Sequence, residues 1–205
     1  MMNLLTARRA RTAAVVCGVA AAAWLPGVAS AGVVQMTFES LAHSDNMEAT
    51  HGSSYEENGF RVQTSMGEFS TWGTAGVAYP GSTALMTPST DAVVTLTAID
   101  GSAFDLLSIQ IAKRDTAGSI LPVSVTFTGT KADSSTVTAT FNGTVFGVML
   151  QTFTLPAEFT DLVQVQWTGT QRHQFDNVTL VSVPAPSAAA VLVAAAGCVV
   201  RRRRR

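Results

Sequence analysis

The sequence predicts an all-β protein, an antiparallel β-sandwich set between two apolar end segments. Three observations predict it. Apolar and polar residues alternate with period two through much of positions 32–182, turn dipeptides separate the runs, and no stretch there carries a sustained helical stripe. Both ends, by contrast, are continuous apolar runs next to arginines.

At the N-terminus, Arg8, Arg9 and Arg11 precede an apolar run from Ala13 to Leu25. Pro26 breaks any helix, and Ala29-Ser30-Ala31 supplies the small-x-small pattern that signal peptidase requires. Residues 1–31 therefore read as a signal peptide with a short signal helix, cut after Ala31. The residues after Arg8-Arg9 do not suit the twin-arginine route, and Cys17, preceded by Val16, stands too early for a lipoprotein acceptor.

At the other end, Pro184-Ala185-Pro186 leads into an apolar run from Ala188 to Val200 and then five arginines, Arg201 to Arg205. Thirteen residues make roughly 20 Å of helix, short of the ~30 Å hydrocarbon core of a bilayer. The arginines cannot follow that segment into lipid and would hold the end on the cytoplasmic side. This order of motif, short transmembrane-type helix and basic end resembles the PEP-CTERM sorting signal of Gram-negative exosortase systems, with Ala185 where that family most often has Glu. The resemblance covers residues 183–205. It implies a membrane-stalled tail, processing by an exosortase-like sorting enzyme, and delivery to the cell envelope, outer surface or extracellular matrix. A tail anchor that stays in the membrane is the alternative.

Removing both ends changes the charge. Of the 13 Lys and Arg, only Arg61, Lys113, Arg114, Lys131 and Arg172 lie in residues 32–182, against all 14 acids, a net charge of −9. Such a domain repels nucleic acid and anionic membrane surfaces and has carboxylates to spare for hard cations. Both cysteines, Cys17 and Cys198, fall in the end segments, so the exported domain has no disulfide and depends on its core. About 150 residues suffice for one such domain.

Within it, Val34, Met36 and Phe38 alternate with polar residues, as do Val123, Val125 and Phe127, then Val137, Ala139 and Phe141, then Val163, Val165 and Trp167. Each set predicts a strand with one face in a core, and Trp167 is assigned to that core. Asn58-Gly59, Asp100-Gly101, Ala117-Gly118 and Asn142-Gly143 mark turns. Alternation fails over 42–58 and 65–83, which read as long loops, where a sandwich usually builds its binding surface.

Phe38-Glu39, Tyr55-Glu56-Glu57-Asn58-Gly59-Phe60, Phe104-Asp105-Leu106 and Phe175-Asp176-Asn177-Val178 are similar in outline to exported PEP-CTERM proteins with jelly-roll, galactose-binding-like domains. That resemblance implies a jelly roll with a structural Ca²⁺ where the first and last strands meet, at Glu39 and Asp176. Calcium takes six to eight oxygens, and a carboxylate beside a core strand is costly unless something positive meets it. Exposure at strand ends, or pairing with Arg61 or Arg172, is the competing account of the same two acids.

Other chemistry is thin. His43 to His51 places two histidines and two acids in nine residues, but without a rigid turn or an i, i+4 pair it reads as a solvated acidic loop rather than a zinc site. No Gly-x-Ser-x-Gly elbow occurs, and Glu56-Glu57 point to opposite faces if extended, so the domain reads as non-catalytic. Trp72 and Tyr79, among Gly73, Gly76 and Gly81, are the candidate sugar-stacking residues; alternatively they plug an open end of the core. The expected function is a surface or matrix protein that contacts exopolysaccharide. A purely structural envelope protein and a secreted jelly-roll hydrolase are the rivals. Intact mass of the protein recovered from cells should show a new N-terminus at Gly32 and loss of the arginine tail; full-length cytosolic protein would overturn both assignments.

Overall fold

The computed structural model describes residues 32–114, 122–143 and 148–182. The expected signal helix with Ala29 and Ala31, the tail with Pro184, Ala185 and Pro186, and the Ala117-Gly118 turn lie outside them. Among the described residues no helix is long and apolar enough to cross a membrane.

Thirteen strands, all paired antiparallel, account for the described chain: β1 Val33–Met36, β2 Glu48–Thr50, β3 Ser54–Glu57, β4 Phe60–Thr64, β5 Ser70–Trp72, β6 Leu85–Met86, β7 Val94–Ala98, β8 Phe104–Lys113, β9 Ser124–Lys131, β10 Thr136–Asn142, β11 Gln151–Thr154, β12 Leu162–Gly169 and β13 His173–Ser182. They form one curled sheet. One half runs β10-β9-β12-β7-β4-β3, and the other β2-β5-β6-β13-β8-β11, with β1 beside β6 along the same edge of β13. A single residue pair, Leu162 opposite Phe104, joins the halves.

The halves close on each other through aromatic rings. Trp167 of β12 meets Phe175 of β13 edge-on at 5.2 Å between centroids, and Phe60 of β4 meets Phe104 of β8 at 5.4 Å. Phe127 of β9 lies 6.4 Å from Phe153 of β11. Phe175 also contacts Phe38 and Phe69. Rings this large in a sealed core contribute roughly 3–5 kcal/mol each against truncation to alanine. With no disulfide among the described residues, they are the main cohesive force.

The alternation expected over 123–128, 136–141 and 163–168 does give strands β9, β10 and β12. Val123, Val125, Phe127, Val165 and Trp167 are buried, while Val137, Ala139 and Phe141 pack partly covered against the core. Val163 does not follow. The register of β12 against β9 shifts between Leu162 and Gln164, so Leu162 takes the core position and Val163 turns outward. Asn58-Gly59 makes the β3–β4 hairpin with φ of 51° and 84°, as a type I′ turn requires. Asn142 instead closes β10, paired with Ser124, and the β9–β10 hairpin turns at Ala132 to Ser135.

Two further expectations are corrected. The stretches 42–58 and 65–83 are not wholly loop: they carry β2, β3 and β5, strands of three or four residues whose alternation is too short to register in sequence. Nor does the first strand run through Phe38. It ends at Met36, and Phe38 adopts a left-handed backbone (φ 56°, ψ 8°) ahead of a 3₁₀ turn over Glu39–Leu41. That conformation costs an L-residue about 1–2 kcal/mol. It is offset because the Phe38 ring is fully buried against Tyr55 and Phe175 and its N–H donates to Glu57 Oε2 at 3.0 Å.

β13 has both faces covered over its first half, four consecutive residues from His173 to Asp176 being buried. His173 points inward near Phe175; its Nδ1–H donates to Gln171 O at 3.1 Å, and Nε2 is buried without a partner. Burial drives its pKa down to about 4, against a small opposing effect of that hydrogen bond. A depressed histidine stabilises the fold above its unfolded value near 6.5, and that contribution is lost as pH falls through 4. Relative to His173→Asn, whose amide can keep the Gln171 bond, the wild type should lose on the order of 3 kcal/mol between pH 6.5 and 4. Urea unfolding across that window measures it, and parallel curves would refute it.

Candidate functional site

Three polar constellations surround the outer face of β13 and the neighbouring β2–β5 pair. The first includes Trp72. Glu48 and Trp72 are directly opposed across β2 and β5, so their side chains share a face, and Ser70 lies on that face two residues before Trp72. Glu48 Oε1 accepts from Ser70 Oγ at 2.6 Å, while Arg114 Nη2 reaches Oε2 at 2.6 Å and Arg172 Nη2 reaches Oε1 at 3.5 Å. Burial penalises this carboxylate, but the Ser70 hydroxyl and the two guanidinium groups outweigh it and hold the pKa below the ordinary range. Arg172 is further aligned by its Nε donating to Thr87 O at 3.0 Å.

The segment after Trp72 is tied down from beneath. Gln174 Nε2 lies 3.0 Å from Ala78 O, 2.9 Å from Lys113 O and 3.1 Å from Arg114 O, so its two hydrogens are shared among three carbonyls. Trp72 Nε1 also donates to Arg114 O, at 3.2 Å. A Cβ on Gly76 would sit 3.1 Å from Trp72 Cε3, so glycine lets the backbone lie close over the ring. Trp72 and Tyr79 both remain partly exposed on this fixed segment, and no ring contact joins them.

The second constellation contains the expected calcium residues. Glu39 lies in the 3₁₀ turn rather than at a strand end, and its carboxylate accepts from Thr83 N at 3.1 Å and Thr83 Oγ1 at 3.0 Å. Asp176 on β13 is fully buried and accepts from Ser82 Oγ, from Asn177 N at 2.6 Å and from Asn177 Nδ2 at 2.9 Å. Consecutive residues Ser82 and Thr83 thus bridge the two acids. Glu57 joins them: its oxygens accept from Thr37 N at 2.9 Å, Thr37 Oγ1 at 3.1 Å and Phe38 N. Burial pushes the Asp176 carboxyl up to about 6; the charges of Glu39 and Glu57 push the same way, against the Ser82 and Asn177 bonds.

Neither arginine proposed as a partner serves here. Arg61 pairs with Glu56 at 2.5 Å, and Arg172 with Glu48. Glu56 and Glu57 face opposite ways, as extended neighbours must. The donors around Glu39, Glu57 and Asp176 are hard oxygens throughout, carboxylates and hydroxyls. No three acidic or histidine side chains among the described residues converge as ligands of a single ion as they stand.

The third constellation was not legible in the sequence as more than a polar loop. His43 Nε2 and His51 Nε2 both contact Thr71 Oγ1, at 3.2 and 2.8 Å, and His43 Nδ1 contacts Asp45 Oδ1 at 3.0 Å. The carboxylate accepts, so His43 donates from Nδ1; in the neutral ring Nε2 then accepts from Thr71 and His51 donates from Nε2–H to the same hydroxyl. Burial, with a contribution from His43, lowers the His51 pKa; the Met47 amide and His43 hold Asp45 low. Asp45–His43–Thr71 has the connectivity of a hydrolytic triad, but Thr71 is fully buried and its hydroxyl is shared with His51.

No protein-family model and no curated protein matches this chain. Among solved structures it is similar to a DUF4465 family protein from Bacteroides ovatus, at 9% identity and a TM-score of 0.41 over 74% of this chain and 99% of that one. It is also similar to the CBM22-1 xylan-binding domain of Paenibacillus barcinonensis Xyn10C, at 16% and 0.37 over 77% and 98%. A family 11 carbohydrate-binding module from Clostridium thermocellum, in complex with a β-1,3-1,4-mixed-linked tetrasaccharide, matches at 12% and 0.30 over 68% and 98%. At these scores no shared property follows.

Proposed function

We propose that this is an exported, non-catalytic β-sandwich of jelly-roll type that binds polysaccharide at the cell surface or in the extracellular matrix. The observation that carries the binding role is the face shared by Trp72 and Glu48. A partly exposed indole stands beside a carboxylate clamped by Ser70, Arg114 and Arg172. An aromatic face offers stacking to a sugar ring, and fixed guanidinium and carboxylate groups offer donors and acceptors to hydroxyls. Because Gln174 and the Trp72 indole N–H already hold this segment, little ordering entropy remains to be lost on binding. Tyr79, partly exposed on the same segment, is the second candidate stacking ring. Export follows the two end segments: cleavage after Ala31, then handling of the Pro184-Ala185-Pro186 tail by an exosortase-like enzyme.

Calcium at Glu39 and Asp176 belongs to the same proposal. The fit lies in charge and donor chemistry: a fully buried carboxylate, two further acids close by, hydroxyls between them, and no cationic side chain paired with any of the three among the described residues. When bound, the ion would supply the positive charge that lets all three stay ionised, while Ser82 and Thr83 keep the two ligands together.

Glycan-array screening followed by calorimetry on the purified protein should find a polysaccharide ligand, with Trp72→Ala weakening it at least tenfold, or about 1.4 kcal/mol. If no glycan binds, or Trp72→Ala and Tyr79→Ala leave binding untouched, the carbohydrate reading goes. EDTA should lower the melting temperature and added Ca²⁺ restore it, with the response lost in Asp176→Asn. A melting curve indifferent to both removes the metal.

A further inference from the structure

The loop expected to be merely solvated is built instead as a rigid edge of the sheet. Three successive backbone N–H groups after β5 clasp it: Gly73 N donates to Met47 O at 3.0 Å, Thr74 N to His43 O at 2.8 Å and Ala75 N to Asp45 O at 3.1 Å. Met47 N donates back to Asp45 Oδ1 at 2.9 Å. The fit is so close that a Cβ on Gly73 would lie 2.2 Å from Asp45 O, so only glycine is accommodated. On the far side, His51 N donates to Phe69 O at 2.9 Å, fixing the second histidine to the residue that precedes β5. The missing rigid turn, which argued against metal binding in the sequence, is therefore present.

Two imidazole nitrogens of the same type then meet at one oxygen. With His43 Nε2 and His51 Nε2 at 3.2 and 2.8 Å from Thr71 Oγ1, they are at most about 6 Å apart. Two nitrogens bound to one zinc at about 2.0–2.1 Å lie within about 4.2 Å of each other, so the rings would close on the ion as it displaces the Thr71 hydroxyl. Asp45 takes the remote N–H of His43, the arrangement that fixes a ligating histidine's tautomer and orientation. His43 keeps about a fifth of its side chain exposed, which gives entry from solvent.

We propose that His43 and His51 form a two-imidazole site for a borderline divalent transition-metal ion, Zn²⁺ in the first instance, with both Nε2 atoms as ligands, His51 moving its proton from Nε2 to Nδ1 as the ion binds, and Asp45 as the positioning carboxylate. The imidazole set separates this site chemically from the all-oxygen cluster at Glu39 and Asp176, which suits Ca²⁺. An ion here would cross-link the loop before β2 to the residue after it, and so brace the β2–β5 edge from the face opposite Trp72.

The test is a zinc chloride titration of purified, untagged protein at pH 7.5, with excess Ca²⁺ present to occupy oxygen sites. One saturable Zn²⁺ per chain is expected. His43→Ala and His51→Ala should each weaken it at least tenfold, Asp45→Asn by about tenfold, and the buried-histidine variant His173→Asn not at all. No saturable uptake by the wild type, or equal uptake by the double His43→Ala/His51→Ala variant, overturns the proposal. Imidazole NMR of the wild type guards against variants that fail to fold. The chain has only three histidines, and zinc should shift the ring signals of His43 and His51 while leaving His173 in place. A uniform response, or none, would also overturn it.

Discussion

The arrangement depends on a strand that is buried on both faces although half of its inward residues are polar. From His173 to Asp176, β13 sends Phe175 into the aromatic core and, on the opposite face, Gln174 and Asp176 into a layer of backbone. A primary amide or a carboxyl removed from water costs several kcal/mol unless its bonds are restored. Here the Gln174 NH2 is met by Ala78 O together with Lys113 O and Arg114 O, its own Oε1 staying buried without a partner. The Asp176 carboxyl is met by Ser82 Oγ and Asn177, so segment 73–83 supplies one bond to each. The polar side chains thus do for the outer layer what Phe175 does for the inner one. They determine where an otherwise irregular segment must lie.

That requirement places the candidate site. The segment held by Gln174 and Asp176 begins at Trp72, and both arginines of the Glu48 cluster come from the strands or turns flanking β13: Arg114 directly after β8, Arg172 directly before β13. Glu39 reaches the same layer only because Phe38 turns left-handed, which ends β1 and swings the next residue toward Thr83. The strained residue is kept because its ring and its N–H are both satisfied. The acidic cluster and the aromatic platform are therefore two ends of one covering layer.

The fold was legible where information is local. Val123 to Phe127 and Val137 to Phe141 alternate over enough residues that one face can only be apolar, and Asn58-Gly59 can hardly be anything but a tight hairpin. Val163 shows the limit: a one-residue bulge reverses the facing of everything beyond it, and nothing in the alternation announces it. β2 and β5 are three residues each, so their pattern carries almost no signal, although they hold Glu48, Trp72 and Thr71. The sequence did point to Trp72, Tyr79, Glu39 and Asp176, through aromatic placement and resemblance. It did not point to Glu48, Arg114, Arg172 and Gln174 as one group. Sixty-six positions separate Glu48 from Arg114, and only the crossing of the sheet brings them together. His43 and His51 looked unconnected for a similar reason, since Thr71, the residue they share, arrives from a strand twenty residues on.

The two ends of the described domain leave it side by side. Val33 is opposite Val181, and Ser182 N donates to Gly32 O at 3.3 Å. A tug that separates these ends acts across the β1–β13 ladder at its mouth, so its rungs would break in succession instead of sharing the load. The pairing of β13 with β8, ten residues long on each side, stands behind that weak seam. Under tension the molecule should shed its first strand early while the remainder of the sheet holds, a mechanical fuse placed where the chain enters and leaves.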